Sequence, residues 1–213
     1  MPKLVFLGDS VTDCARKRAM RYQGTKAGLG TGWVQHLNQE LSREYNSLVC
    51  WNRGFSGCLS AQLMQQSGWW PDQTEGVPET VDLTTLLIGI NDIWHPFWRK
   101  TPHNLARSLA SFRLLIETVQ LHSERVLVCE PFALPSDQVT ADWWPLLQAL
   151  SDGQRSICAE LDAYWCPMQA ALMVAAEGHP SDYLADGIHP TDLGHRWLAG
   201  RWRSFTADHK LLD

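Results

Sequence analysis

Ser10 follows Gly8 and Asp9 near the start of the chain, and Asp186 and His189 stand near its end in the run Asp186-Gly187-Ile188-His189-Pro190. A serine hydroxyl becomes a nucleophile when a base takes its proton, and an imidazole serves as that base when a carboxylate fixes its orientation. Asp186 precedes His189 by three residues, so a tight loop can bring its carboxylate to Nδ1 and leave Nε2 facing Ser10. Gly57 has no side chain to keep an oxygen from its backbone N–H, and Asn91 offers a side-chain amide. With the Ser10 N–H they would make a three-donor oxyanion hole for acyl transfer. Each piece alone is weak: Gly-Asp-Ser is ordinary turn chemistry, and Asp-x-x-His can be a helix cap. Their joint occurrence, in order and at strand ends, carries the reading.

The elements that must position these groups follow from hydrophobic spacing. Leu4–Leu7, Ser47–Trp51, Thr84–Ile88, Val126–Cys129 and Tyr164–Cys166 read as strands. Helical spacing runs through Thr31–Tyr45, Asn104–His122 and Trp144–Leu161, and a last helix opens at Thr191 after Pro190. The stretch Gly68–Glu79, with Pro71, Gly76 and Pro78, reads as a loop. Alternating strands and helices imply βαβ units: an α/β fold with a mostly parallel five-stranded sheet between two helical layers, forming one domain over residues 1–213. Ligands of such sheets bind outside the carboxyl ends of the strands. Three strands are expected to end in polar loops on that edge: Gly8-Asp9-Ser10, Asn52-Arg53-Gly54-Phe55-Ser56-Gly57 and Gly89-Ile90-Asn91-Asp92.

The blocks Gly8-Asp9-Ser10, Gly57, Gly89-x-Asn91-Asp92 and Asp186-x-x-His189 resemble, in type and order, those of the SGNH (GDSL-type) hydrolases. Gly8-Asp9-Ser10-Val11-Thr12-Asp13-Cys14, Gly28-Leu29-Gly30-Thr31-Gly32-Trp33, Asn52-Arg53-Gly54 and Ile88-Gly89-Ile90-Asn91-Asp92-Ile93-Trp94 are similar to the acetylxylan esterase-like branch. The resemblance implies a flavodoxin-like three-layer α/β/α sandwich and ester hydrolysis without metal or organic cofactor. It implies Ser10 as nucleophile, His189 as base, Asp186 as its orienter, and Gly57 and Asn91 with the Ser10 backbone as oxyanion donors. Ala15 departs from the glycine that this branch often carries.

The expected substrate is a short acyl ester of a carbohydrate, acetyl foremost. Turnover is expected to fall in acid, because an imidazolium cannot accept the serine proton. Trp94, His95 and Trp98 follow Asn91 closely enough to be candidates for substrate binding, since aromatic faces stack on sugar rings. Phe97, in the same run, can equally line an acyl pocket. Within the same family a lysophospholipase or acyl-thioesterase is the nearest alternative, and it would need a long apolar groove. A metallophosphoesterase would need a D-x-H opening and more loop histidines than the chain supplies. A non-catalytic sugar-binding module would have no use for the complete set of five residues. Asp9 and Asp92 are expected to hold loops, Asp13 to be structural, and His36, His103, His122, His195 and His209 to be ordinary surface or core residues.

Composition narrows the rest. The chain has 213 residues, 45% hydrophobic and 19% charged, with a net charge of −5. Its longest basic run is Arg16-Lys17-Arg18, too little for a phosphate backbone, so no nucleic-acid partner is expected. Gly28-x-Gly30-x-Gly32 lacks the spacing of a nucleotide loop, and no G-x-S-x-G elbow exists. The six cysteines form no C-x-x-C pair and suggest neither zinc nor disulfides. The short apolar start and the absence of a long apolar run make a cytoplasmic protein without a membrane partner the expectation. The eleven tryptophans, with the doublets Trp69-Trp70 and Trp143-Trp144, leave room for a homo-oligomer interface.

Overall fold

Strand β1 (Lys3–Gly8) has hydrophobic side chains on both faces, as a strand covered by two helical layers requires. Leu4 and Phe6 enter one apolar cluster, Val5 and Leu7 the other. The structure, a computed structural model, describes residues 2–17, 26–71 and 80–213. Arg18 and most of the predicted loop before Val81 lie outside them.

The sheet is five-stranded and entirely parallel, in the order β2 (Val49–Gly54), β1, β3 (Val81–Leu87), β4 (Ser123–Cys129), β5 (Tyr164–Cys166). The order reverses direction between β1 and β3, and that point opens a crevice beyond the strand ends. Pairing sets Gly8 level with Gly54 on one side and with Leu87 on the other. On one face α3 (Trp33–Leu41) packs beside α9 (Asp192–Asp208), and Phe6 meets Trp33 edge-on at 5.2 Å and Trp202 at 5.8 Å. On the other face lie α5 (Leu105–Gln120) and α6 (Trp143–Glu160), through Phe112, Leu115, Ile116, Ile157 and Cys158. Asn104 caps α5 and Thr191 caps α9, each side-chain oxygen accepting a first-turn N–H.

Several boundaries differ from the sequence reading. β2 runs on through Asn52-Arg53-Gly54, where composition predicted a turn. Pairing with β1 continues to Gly8, and the Asn52 side chain is consumed inside the fold. Its Nδ2 donates to the carbonyls of Thr12 (2.6 Å) and Leu29 (2.7 Å), and its Oδ1 accepts from Gly54 N (2.9 Å). A Cβ on Gly54 would stand 2.2 Å from Asp13 N, so only glycine fits there. Gly89-Ile90-Asn91-Asp92 is no loop either: α4 (Ile90–Arg99) begins at once after Gly89. The short helices α1 (Ser10–Asp13), α2 (Lys26–Leu29), α7 (Gln169–Ala175) and α8 (Pro180–Tyr183), and a 3-10 turn at Ser60–Gln65, escape the sequence reading. Ala15 has φ +57, a left-handed conformation that costs a residue bearing a Cβ roughly 1–2 kcal/mol, which is why glycine suits that position.

One buried polar pair joins a helical layer to the sheet. The Trp202 indole N–H donates to Thr85 Oγ1 at 3.0 Å, joining α9 to the central strand β3. Thr85→Val keeps the shape and removes the acceptor. It is expected to lower stability by about 1–3 kcal/mol in urea denaturation, the cost of a buried donor left unmet; an unchanged midpoint would show that the bond contributes nothing.

Candidate active site

Ser10 is the first residue of α1, two positions beyond the end of β1. Asp9, at 1% exposure, caps that helix with its carboxylate, accepting from Val11 N at 3.1 Å. The half-buried Ser10 Oγ lies 2.9 Å from His189 Nε2, and His189 Nδ1 lies 2.7 Å from Asp186 Oδ2. The other Asp186 oxygen accepts from the backbone N–H of Ile188 (3.0 Å) and His189 (2.8 Å), so one carboxylate holds both the loop and the ring. Burial works to raise the Asp186 pKa, but the hydrogen bonds from His189 and Ile188 outweigh it and keep the group below the usual carboxylate range. A carboxylate at Nδ1 selects the tautomer whose Nε2 lone pair faces Ser10. The loop is closed by a bridge between Leu184 and Pro190 and by Ser136 Oγ donating to the Asp186 carbonyl at 2.7 Å.

Gly57 lies three residues past the end of β2, at φ +74, and a Cβ there would meet nothing within 4 Å. Its requirement for glycine is conformational, and its surroundings are open. Two acids fix this loop from either side. Asp13 Oδ2 accepts from Ser56 N (3.0 Å), and Asp92 Oδ2 accepts from Ser60 N (3.0 Å) and Ser60 Oγ (2.9 Å). Asn91, in the first turn of α4 and buried, donates from Nδ2 to the Cys58 carbonyl at 3.1 Å. An amide nitrogen carries two hydrogens, so one remains after that bond. The expected loop-holding roles of Asp9 and Asp92 thus have named partners. Asp13, Ser60 and Ser108, whose hydroxyl donates to Asp92 Oδ1 at 2.8 Å, are supporting residues whose partners no sequence pattern announced.

The sequence pattern of the GDSL-like lipase/acylhydrolase family matches residues 6–197, a span that takes in Ser10, Gly57, Asn91, Asp186 and His189. The chain belongs to this family. It is a carboxylic ester hydrolase. An acetylxylan esterase from Geobacillus stearothermophilus is 28% identical over 207 residues, covering 92% of this chain and 90% of its own. The crystal structure of that bacterium's acetylxylan esterase Axe2 superposes with a TM-score of 0.78 at 26% identity, over 94% of this chain and 92% of its own. A GDSL-like lipase from Parabacteroides merdae superposes with a TM-score of 0.84 at 26% identity, over 97% and 95% of the two chains. Structures described as catalytic mutants of Axe2 replace a serine, an aspartate or a histidine with alanine.

Around the core of this GDSL-family site, the three aromatic candidates part company. Trp94 stands beside His189, its ring 5.5 Å from the imidazole in edge contact. His95 lines a separate cavity on the next flank of α4, and Trp98 is 74% exposed one turn further along. Phe97 turns inward and stacks on the buried Trp143 at 5.1 Å, which makes it core. Of the other histidines, His103 meets the Ile93 carbonyl at 3.1 Å, while His122 and His209 pack on Trp70 and Phe205. His195 lies 3.5 Å from Cys14 Sγ and is pushed down to about 4, by burial first and then by His36 and His189. At Gly30 the Asp13 and Cys14 carbonyls close in to 2.6 Å of where a Cβ would be, so this glycine segment faces acceptors, the opposite of a phosphate cradle. All six cysteines are free, Cys14 partly exposed and the rest buried. Among the described residues no helix is long and apolar enough to cross a membrane, and no cluster of three or more His, Cys, Asp or Glu is placed to ligate a metal.

Asp9 is raised from 3.8 to about 7, by burial above all. The unfolded chain ionises this group near its ordinary value, so between about pH 4 and 7 the folded state holds more protons and stability falls as pH rises. Asp9→Asn still offers an oxygen to Val11 N–H but has no proton to lose. The variant is expected to lack that downward slope, so that its Tm exceeds the parent's at about pH 8 and converges with it near pH 4. Parallel melting curves across that range contradict the assignment.

Proposed function

We propose that this hydrolase removes short acyl groups, acetyl foremost, from carbohydrate hydroxyls through an acyl-enzyme on Ser10. The observation that carries the reading is the relay Ser10 Oγ, His189, Asp186, with links of 2.9 and 2.7 Å. His189 Nε2 takes the Ser10 proton as Oγ attacks the ester carbonyl, and the carbonyl π-bond collapses onto oxygen. That oxyanion is met by the backbone N–H groups of Ser10 and Gly57 and by the free Asn91 amide hydrogen. His189 then returns the proton to the leaving alcohol as the C–O bond breaks. Water repeats the sequence on the acyl-enzyme and releases acetate and Ser10.

Three things support the acetyl-carbohydrate part: the similarity to proteins described as acetylxylan esterases, the Trp94 ring beside His189, and the exposed Trp98 one turn away. Flat aromatic faces suit pyranose rings better than they suit an extended acyl chain. A lysophospholipase or acyl-thioesterase of the same family is separated from this reading by acyl length: nitrophenyl esters are expected to be turned over fastest as acetate, and a rise towards octanoate would favour the lipid enzyme.

Ser10→Ala and His189→Ala are each expected to lower kcat by about 10⁴-fold or more, with unchanged circular dichroism. Asp186→Asn is expected to be comparably severe, roughly 10⁴-fold, because an amide at Nδ1 permits the wrong tautomer. Asn91→Ala is expected to cost on the order of 10²–10³ in kcat. An Asn91→Ala enzyme with full kcat removes that amide from the mechanism.

A further inference from the structure

Beside the triad, α4 presents a second cavity of different chemistry. It lies between α4, the 3-10 turn and the start of α5, encloses about 330 Å³, and is lined by Gln62, Gln65, Asp92, His95, Arg99 and Arg107 among others. His95 follows Asn91 by four residues, so the cavity opens one helical turn from the oxyanion donors. Two guanidinium side chains share it. Arg113, Arg196 and Arg203 stand in ion pairs, whereas among the described residues neither Arg99 nor Arg107 meets a carboxylate. Among the described residues the one acid that lines the cavity is already engaged: Asp92 Oδ2 accepts twice from Ser60, and Oδ1 accepts from Ser108 Oγ at 2.8 Å. Arg99 is exposed and lines the cavity, and its charge adds to burial in lowering the pKa of His95. Its guanidinium carbon also stands 6.0 Å from the centre of the exposed Trp98 ring.

Among the described residues this leaves two guanidinium groups without a carboxylate partner, the Gln62 and Gln65 amides and an adjacent exposed aromatic face around one cavity beside α4. Guanidinium groups match a planar carboxylate with paired N–H donors, and amides suit the hydroxyls around it. We propose that the cavity is a subsite for the carboxylate of a uronic acid unit neighbouring the esterified sugar. The inference rests on the carbohydrate-ester reading above and narrows its substrate class to acidic oligosaccharides.

Two measurements test it. The first compares kcat/KM for acetylated xylo-oligosaccharides with and without a glucuronic acid branch. The acidic substrate is expected to be preferred about tenfold, the preference to shrink in about 1 M salt, and Arg99→Gln with Arg107→Gln to bring the ratio to about 1. The second uses calorimetry on Ser10→Ala protein with the same two oligosaccharides after deacetylation, so that it needs no turnover. Tenfold tighter binding of the acidic one supports the subsite even if neither acetylated sugar is hydrolysed, an outcome that would sink only the carbohydrate-ester reading. Equal affinity for both, or a ratio of kcat/KM indifferent to the two arginines, overturns the subsite. Sulfate that displaces the acidic oligosaccharide at equal concentration marks a plain anion site and overturns the sugar-acid assignment.

Discussion

Level strand ends are the constraint from which the site follows. Gly54, Gly8 and Leu87 sit side by side across β2, β1 and β3. The spacing of strands within a sheet, about 4.8 Å, therefore sets the spacing of the segments that leave them. Ser10, Gly57 and Asn91 come two, three and four residues after those ends, too soon for the chain to wander. Asp186 and His189 arrive differently, from the loop before α9. Their position depends on α9 lying across the sheet, which Trp202 secures by packing on Phe6 and bonding to Thr85.

Carboxylates tie this arrangement together, and the number of donors each receives decides its state. Asp9 is fully enclosed and receives one backbone N–H from outside its own residue, so burial wins and its proton is held to about 7. Asp186 is partly exposed and receives two backbone N–H groups and a ring nitrogen, so the hydrogen bonds win and it ionises readily. The same side chain thus behaves oppositely at two positions that flank one serine. Asp13 and Asp92 complete the set by gripping the Gly57 loop at Ser56 and Ser60.

The reaction class was legible in the sequence because ester hydrolysis demands particular residue types in a fixed order, and the long elements because periodicity accumulates over many residues. α5 and α6 carry several apolar repeats each and fall within a residue or two of their predicted limits, and α9 begins one residue after its predicted start. The end of β2 misled for a physical reason: Asn52, Arg53 and Gly54 favour turns, yet backbone pairing and the bonds of the Asn52 amide outweigh that preference. The start of α4 misled because Gly89, at φ +129, lets the chain pass from strand to helix without a visible loop. α1, α2 and α8 have four residues each, fewer than any period can reveal. Trp94, His95 and Trp98 looked like one cluster in the sequence, but on a helix His95 points about 100° away from Trp94, and Trp98, on the Trp94 side, stands a turn further along.

The hydrogen bond between Ser10 and His189 spans 179 positions of the chain. Reactivity is therefore a property of completed topology. A nascent polypeptide emerging from the ribosome exposes its serine early, yet that hydroxyl has no imidazole partner until nearly all of the remaining chain has been made and α9 has docked. On the proposed mechanism a half-made chain lacks the base that its serine needs, through connectivity alone.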